Sequence, residues 1–233
     1  MKLKSFYLTL ITVVLMGCNS FSQNLQKEER KVTGFTGIEL SIAGDIELIQ
    51  GEQFKVILEA DADKIKDVET TLKGETLVIE THKSHLFNNS KVRLTITLPE
   101  LKSIEISGAG DINAQGEFNC KDLELEISGA GDLKFNQLSV NNLTIDISGA
   151  GDITINGDKK ANNLKIDING AGDVTIEKLP FETATADING SGSCRINVTT
   201  TLNADINGSG DLLYSADPKM NIEINGSGKI KKI

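Results

Sequence analysis

The sequence predicts an all-β fold: a single-stranded β-helix (β-solenoid) with seven regular coils of 18–21 residues and an irregular β-rich N-terminal part. Three observations carry this expectation. A phrase of Ile, Ser or Asn, Gly, Ala or Ser, Gly begins at Ile106, Ile127, Ile147, Ile168, Ile188, Ile206 and Ile224. Self-similarity at a period near twenty residues marks units that bury their apolar side only against their neighbours. Before each phrase apolar and polar residues alternate, as in Leu123-Glu124-Leu125-Glu126-Ile127, the pattern of a strand with one buried face. No helical pattern of 10–15 residues separates the units, which disfavours a layered α/β arrangement.

Residues 1–18 read as a lipoprotein signal peptide. Lys2 and Lys4 precede an uncharged run from Phe6 to Leu15, a secretory core too short to span a bilayer as a helix. The run ends Leu15-Met16-Gly17-Cys18, which resembles the bacterial lipoprotein cleavage box. That resemblance implies cleavage before Cys18 and lipid attachment on it, weighed against an ordinary signal peptide with a chance cysteine. Residues 19–31 are polar with no apolar period and read as a flexible tether.

Residues 32–233 read as a single β-helical head, with irregular coils over 32–100 and regular repeats over 101–233. Ile38/Leu40/Ile42, Ile46/Leu48 and Val56/Leu58 alternate as strands, and Asp61 to Glu69 is expected to form one short helix. Leu77–Ile79 and Val92 to Leu98 are further strands. Ile42-Ala43-Gly44-Asp45-Ile46 looks like a shortened copy of the repeat.

Within the repeats, two apolar columns are continuous. One holds Ile104, Leu125, Ile145, Ile166, Ala186, Ala204 and Ile222; the other holds Ile112, Leu133, Ile153, Val174, Cys194, Leu212 and Ile230. The glycines, free of a side chain and tolerant of positive φ, are expected to let the chain bend sharply. The Asp that follows most of them is expected to fix the bend by bonding its own loop. Coils about 4.8 Å apart give a column on the order of 34 Å long. Its last coil carries Lys229, Lys231 and Lys232, expected as a charged cap on an open sheet edge.

Removing Lys2 and Lys4 from 24 basic residues leaves 22 against 33 acidic, a net charge of −11. Such a chain repels phosphate backbones, so no nucleic-acid partner is expected. Cys120 and Cys194 lie about three and a half coils apart, roughly 17 Å along the axis, so two free thiols are expected.

Two acidic columns are the most suggestive candidate site. The turn aspartates Asp111, Asp132, Asp152, Asp173 and Asp211 are calcium candidates, since hard cations take several carboxylate oxygens. The second column is Glu105, Glu126, Asp146, Asp167, Asp187, Asp205 and Glu223. Like charges one coil apart repel by about 0.9 kcal/mol even at the dielectric of water. The plainer alternative is that the turn Asp bonds its own loop and the strand acids are solvated, with no metal and no cofactor bound. A polar column, Ser107, Ser128, Ser148, Asn169, Asn189, Asn207 and Asn225, is expected to bond along the stack. His82 and His85 could share a metal on a helix, but their surroundings read as a solvated loop.

No catalytic residue stands out. Beyond Arg30 only Arg93 and Arg195 supply guanidinium groups, the chain has no Trp, and Tyr214 is the single tyrosine after the signal. A uniform ladder is also a poor active site, because catalysis needs two groups of different pKa.

Leu98-Pro99-Glu100-Leu101-Lys102-Ser103-Ile104, followed by repeated Gly-Ala/Ser-Gly turns, resembles the GIN-domain family of auto-transporter adhesin head domains, common in Bacteroidetes. The resemblance covers roughly Thr33 to Ile233. It implies a right-handed β-helix without catalytic residues, and a role in adhesion. The resulting expectation is a cell-envelope lipoprotein, in the outer membrane, whose head binds a protein or glycan ligand. The alternatives are a structural or stress-related periplasmic lipoprotein and a divergent polysaccharide-active enzyme.

Overall fold

Stacked backbone, more than any side-chain packing, organises this chain. The structure, a computed structural model, describes residues 25–81 and 92–233, and these contain strands and turns but no helix. The N-terminal strands are β1 (Leu25–Arg30), β2 (Gly37–Leu40), β3 (Asp45–Gln50), β4 (Lys55–Asp61), β5 (Glu69–Lys73), β6 (Thr76–Glu80) and β7 (Arg93–Leu98). The repeats supply β8 (Ser103–Ile106), β9 (Ile112–Asn119), β10 (Asp122–Ile127), β11 (Leu133–Ser139), β12 (Asn142–Ile147) and β13 (Ile153–Ile155). They continue with β14 (Ala161–Ile168), β15 (Val174–Ile188), β16 (Cys194–Ile206), β17 (Leu212–Ser215), β18 (Lys219–Ile224) and β19 (Ile230–Lys232).

Every repeat strand pairs in parallel with its counterpart one turn of the solenoid away. On one face β8, β10, β12, β14, the second half of β15, the second half of β16 and β18 follow in order, with Ile106, Ile127, Ile147, Ile168, Ile188, Ile206 and Ile224 in register. The second face is β9, β11, β13, then the first halves of β15 and β16, then β17 and β19. Both predicted apolar columns are buried from their first members through Ala204 and Leu212. Phe118 and Phe135 fill the interior edge to face, 5.4 Å apart. No buried residue among those described is polar or charged.

The glycine turns differ from expectation in an instructive way. Among the described glycines, positive φ occurs at Gly34, Gly74 and Gly116, none of them in the repeated phrase. The phrase needs glycine for proximity: a Cβ on Gly149 would lie 1.9 Å from the carbonyl oxygen of Gly129, and one on Gly151 would lie 2.0 Å from that of Gly131. Ala130 donates its N–H to the Gly108 carbonyl, and Ala150 to that of Gly129, each at 3.0 Å. The turns are therefore a backbone ladder with no room for a side chain. Its first step is the shortened copy, where a Cβ on Gly110 would meet the Gly44 oxygen at 2.1 Å.

The N-terminal part joins the same sheet, but chain order is not spatial order. β2 pairs in parallel with both β6 and β8, and β3 with both β7 and β9. The layer of β2 and β3 thus lies between that of β6 and β7 and the first regular repeat. Strands that run antiparallel close this end: β5 covers β6, β4 covers β7, and β1 covers β4.

Two expectations change here. The tether assigned to 19–31 is, from Leu25 on, the edge strand β1; its side chains are mostly exposed, so its polar sequence suits an edge strand held by backbone pairing. Lys27 pairs with Glu59 across β4 at 2.8 Å. The helix expected over Asp61 to Glu69 is a turn. Asp61 accepts from the N–H groups of Lys64 and Ile65, and Lys64 from that of Asp67, after which β5 begins. With only Ile65 and Val68 to bury, the segment has no apolar face to extend as a helix.

At the far end the expected charged cap covers one face only. Lys231 and Lys232 lie on β19, whereas β18 leaves Met220, Ile222 and Ile224 exposed.

Gly149→Ala is expected to lower stability by roughly 3–5 kcal/mol, since backbone must move. Gly116→Ala, strained but unobstructed, should cost about 1 kcal/mol. Thermal denaturation of the two variants compares them, and equal losses would refute the proximity argument.

Candidate functional site

The outer side of the first face carries three polar columns placed by the strand alternation. Outermost in sequence is Asp122, Asn142, Asn163, Thr183, Thr201 and Lys219. Its first members bond along the stack: Asn142 Nδ2 donates to Asp122 Oδ1, Asn163 Nδ2 to Asn142 Oδ1, and Thr183 Oγ1 to Asn163 Oδ1, at 2.5, 2.7 and 2.7 Å. Sequence reasoning missed this ladder, although its spacing repeats five residues before each phrase. The middle column is Glu124, Thr144, Lys165, Thr185, Asn203 and Asn221.

The third column is the predicted strand-acid series, extended at its N-terminal end by Glu39, which is in register with Glu105. Three of its carboxylates are shifted upward. Partial burial, with the charges of Glu39 and Glu126, raises Glu105 above its ordinary value. Burial and Asp167 raise Asp146, against the opposing pull of Lys165. Burial, Asp167 and Asp205 raise Asp187. All three shifts run the same way.

The turn aspartates are engaged differently from the own-loop bonding expected. Each Oδ1 accepts the backbone N–H of the following rung: Asp132 N–H to Asp111 at 2.9 Å, Asp152 to Asp132 at 2.8 Å, and Asp173 to Asp152 at 2.7 Å. Ser193 N–H reaches Asp173 at 2.6 Å and Lys229 N–H reaches Asp211 at 2.8 Å. The Asp is a rivet between rungs. Among the described residues no three His, Cys, Asp or Glu side chains gather as a metal site.

The Asn ladder forms where expected. Asn189, Asn207 and Asn225 each donate Nδ2 to the preceding Asn Oδ1 at 3.1, 3.1 and 3.2 Å. Cys194 is buried in its apolar column and Cys120 is half-buried, neither in a disulfide. Burial and the nearby Glu100 push the Cys120 thiol up to about 12. Cys18, His82 and His85 lie outside the described residues.

Shallow grooves run along this face. One, of about 680 Å³, is lined by Lys102, Lys121, Asp122, Glu124, Asn142 and Thr144; the next, of about 470 Å³, by Asn142, Thr144, Asn163, Lys165, Thr183 and Thr185. A third, of about 480 Å³, lies on the second face near its N-terminal end, where Arg93 stands in register with Asp45 beside Glu47 and Glu59. The Asn113 Oδ1 there is buried without a partner. No aromatic ring lines any of them.

The parallel β-solenoid with its regular polar face defines the class of protein to which this chain belongs. The chain belongs to the family described as "Putative auto-transporter adhesin, head GIN domain", which matches residues 34–218. Among solved structures it is similar to a putative adhesin from Bacteroides fragilis, at 24% identity and TM-score 0.84 over 91% of this chain and 98% of that one. A putative adhesin from Parabacteroides distasonis matches at 18% identity and TM-score 0.77 over the same shares, 91% and 98%. A putative lipid binding protein from the same species matches at 20% and 0.66, again over 91% and 98%. No curated protein matches.

For an acid whose folded value is raised, stability is fully present below the unfolded value and is lost as pH rises through the folded value. The melting temperature should therefore rise as pH falls from neutral into the ordinary carboxylate range, about pH 4. The exposed Glu117–Lys159 pair, 2.6 Å apart, lowers the Glu117 value and acts in the opposite sense, but below the ordinary carboxylate range. Asp187→Asn should raise the melting temperature at pH 7 and flatten the rise. A steady fall over the same window would show that the column is not strained.

Proposed function

We propose that this chain is a cell-envelope lipoprotein, held in the outer membrane by acyl chains on Cys18, whose solenoid is a non-catalytic binding head for a protein or glycan. The observation that carries the reading is the first outer face: flat, polar, in register from rung to rung, and grooved along its length. Donors and acceptors repeated at about 4.8 Å suit an extended ligand contacted at many weak points. Membership of an adhesin head family supports the same reading. Several acyl chains, each contributing about 0.8 kcal/mol per buried methylene, would make the anchoring stable. A polysaccharide-cleaving role finds no support in the acidic column, whose shifts are uniform in direction.

Antibody against the head should label intact cells as strongly as permeabilised ones. Labelling confined to permeabilised cells would replace the adhesin reading with a periplasmic structural role. Cys18→Ser should abolish incorporation of labelled palmitate and move the protein to the soluble fraction; palmitate retained by this variant would end the anchor assignment.

A further inference from the structure

β18 bonds to β16 along one edge, and among the described residues no strand pairs with its other edge. Asn225 donates its N–H to Ile206 of β16. Backbone groups of successive strand residues point to alternate sides, so the N–H and C=O groups of Met220, Ile222 and Ile224 line the open edge. Their side chains continue the buried column of Leu202, Ala204 and Ile206, yet they are 50%, 36% and 44% exposed. An edge that is both unpaired and apolar is a template for another strand.

We propose that the partner is the β18 edge of a second copy of this chain, joined antiparallel about a two-fold axis at Asn221. The sequence Lys219-Met220-Asn221-Ile222-Glu223 is self-complementary in that register. Met220 lies opposite Ile222 twice, and these are the residues whose backbone groups face the edge, so they form the hydrogen-bonded pairs. Lys219 lies opposite Glu223 twice, and Asn221 opposite itself, as the non-hydrogen-bonded pairs in which side chains approach most closely. Shifting the register by one pair sets Lys219 against Asn221 or Asn225 and loses both charge pairs. Lys219 has no ion-pair partner among the described residues, and Glu223 engages only the Asn225 amide through Oε1, at 3.1 Å. A two-fold contact of this kind closes on itself and yields dimers rather than filaments.

Sedimentation of the full chain in mild detergent should show a monomer–dimer equilibrium. Lys219→Glu and Glu223→Lys should each weaken it by about tenfold, by placing like charges opposite one another. The double variant Lys219→Glu/Glu223→Lys should restore the original dissociation constant. Both side chains are exposed, so the single variants should retain the parent circular dichroism spectrum. In Asn221→Cys the paired Cα atoms would be about 4.5 Å apart, within disulfide reach, so air oxidation should give a covalent dimer. Asn203→Cys, one rung inward, should not. A monomer at all concentrations, a dimer indifferent to both charge changes, or open-ended polymers would overturn the proposal.

Discussion

The constraint on which this structure depends is the contact between stacked glycine turns. A carbonyl oxygen of one rung sits where the next rung's Cβ would be, at 1.9–2.0 Å for Gly129, Gly149 and Gly170 and for Gly131, Gly151 and Gly172. The absence of a side chain there lets successive rungs approach to strand spacing at the corner as well as along the faces. The amide of the small residue between the glycines then bonds to the rung below, and the following Asp carboxylate takes the next rung's N–H. One five-residue phrase thereby fixes rung spacing, register and the direction in which every strand leaves the corner.

Register fixed at the corner has a cost on the faces. Equivalent side chains are forced into columns whether or not they attract. Where the residue is Asn the column is self-satisfying, because each amide both donates and accepts. In the strand-acid column the stacking is less favourable: burial first, and neighbouring carboxylates second, raise Glu105, Asp146 and Asp187. The deep apolar columns offset it: Ile127, Ile147, Ile168 and Ile188 are fully buried one above another.

The regular part was legible because its signal is redundant: the two apolar columns and the Asn ladder can be read directly from residues 101–233. The roles of the small polar residues were harder, since sequence shows that Gly and Asp recur without showing what lies above them. Local reasoning assigned glycine to bending and aspartate to its own loop, whereas both act between rungs. In the N-terminal part the strands were legible but their neighbours were not. Nothing in Ile38-Glu39-Leu40 says that its neighbours are Leu77 to Ile79 on one side and Ile104 to Ile106 on the other. Likewise the groove around Arg93 and Asn113 depends on strands distant in sequence becoming adjacent.

That interleaved layer sets how the molecule meets a mechanical load. In a solenoid laid down in sequence order, a pull on one terminus removes rungs singly, each strand peeling from only one neighbour. Here the β2–β3 layer is clasped on both sides by strands that come later in the chain. Traction entering at Leu25 can strip β1 from β4, but further extension must break two ladders at once. The end nearest the N-terminus therefore behaves as a clasp rather than a zipper.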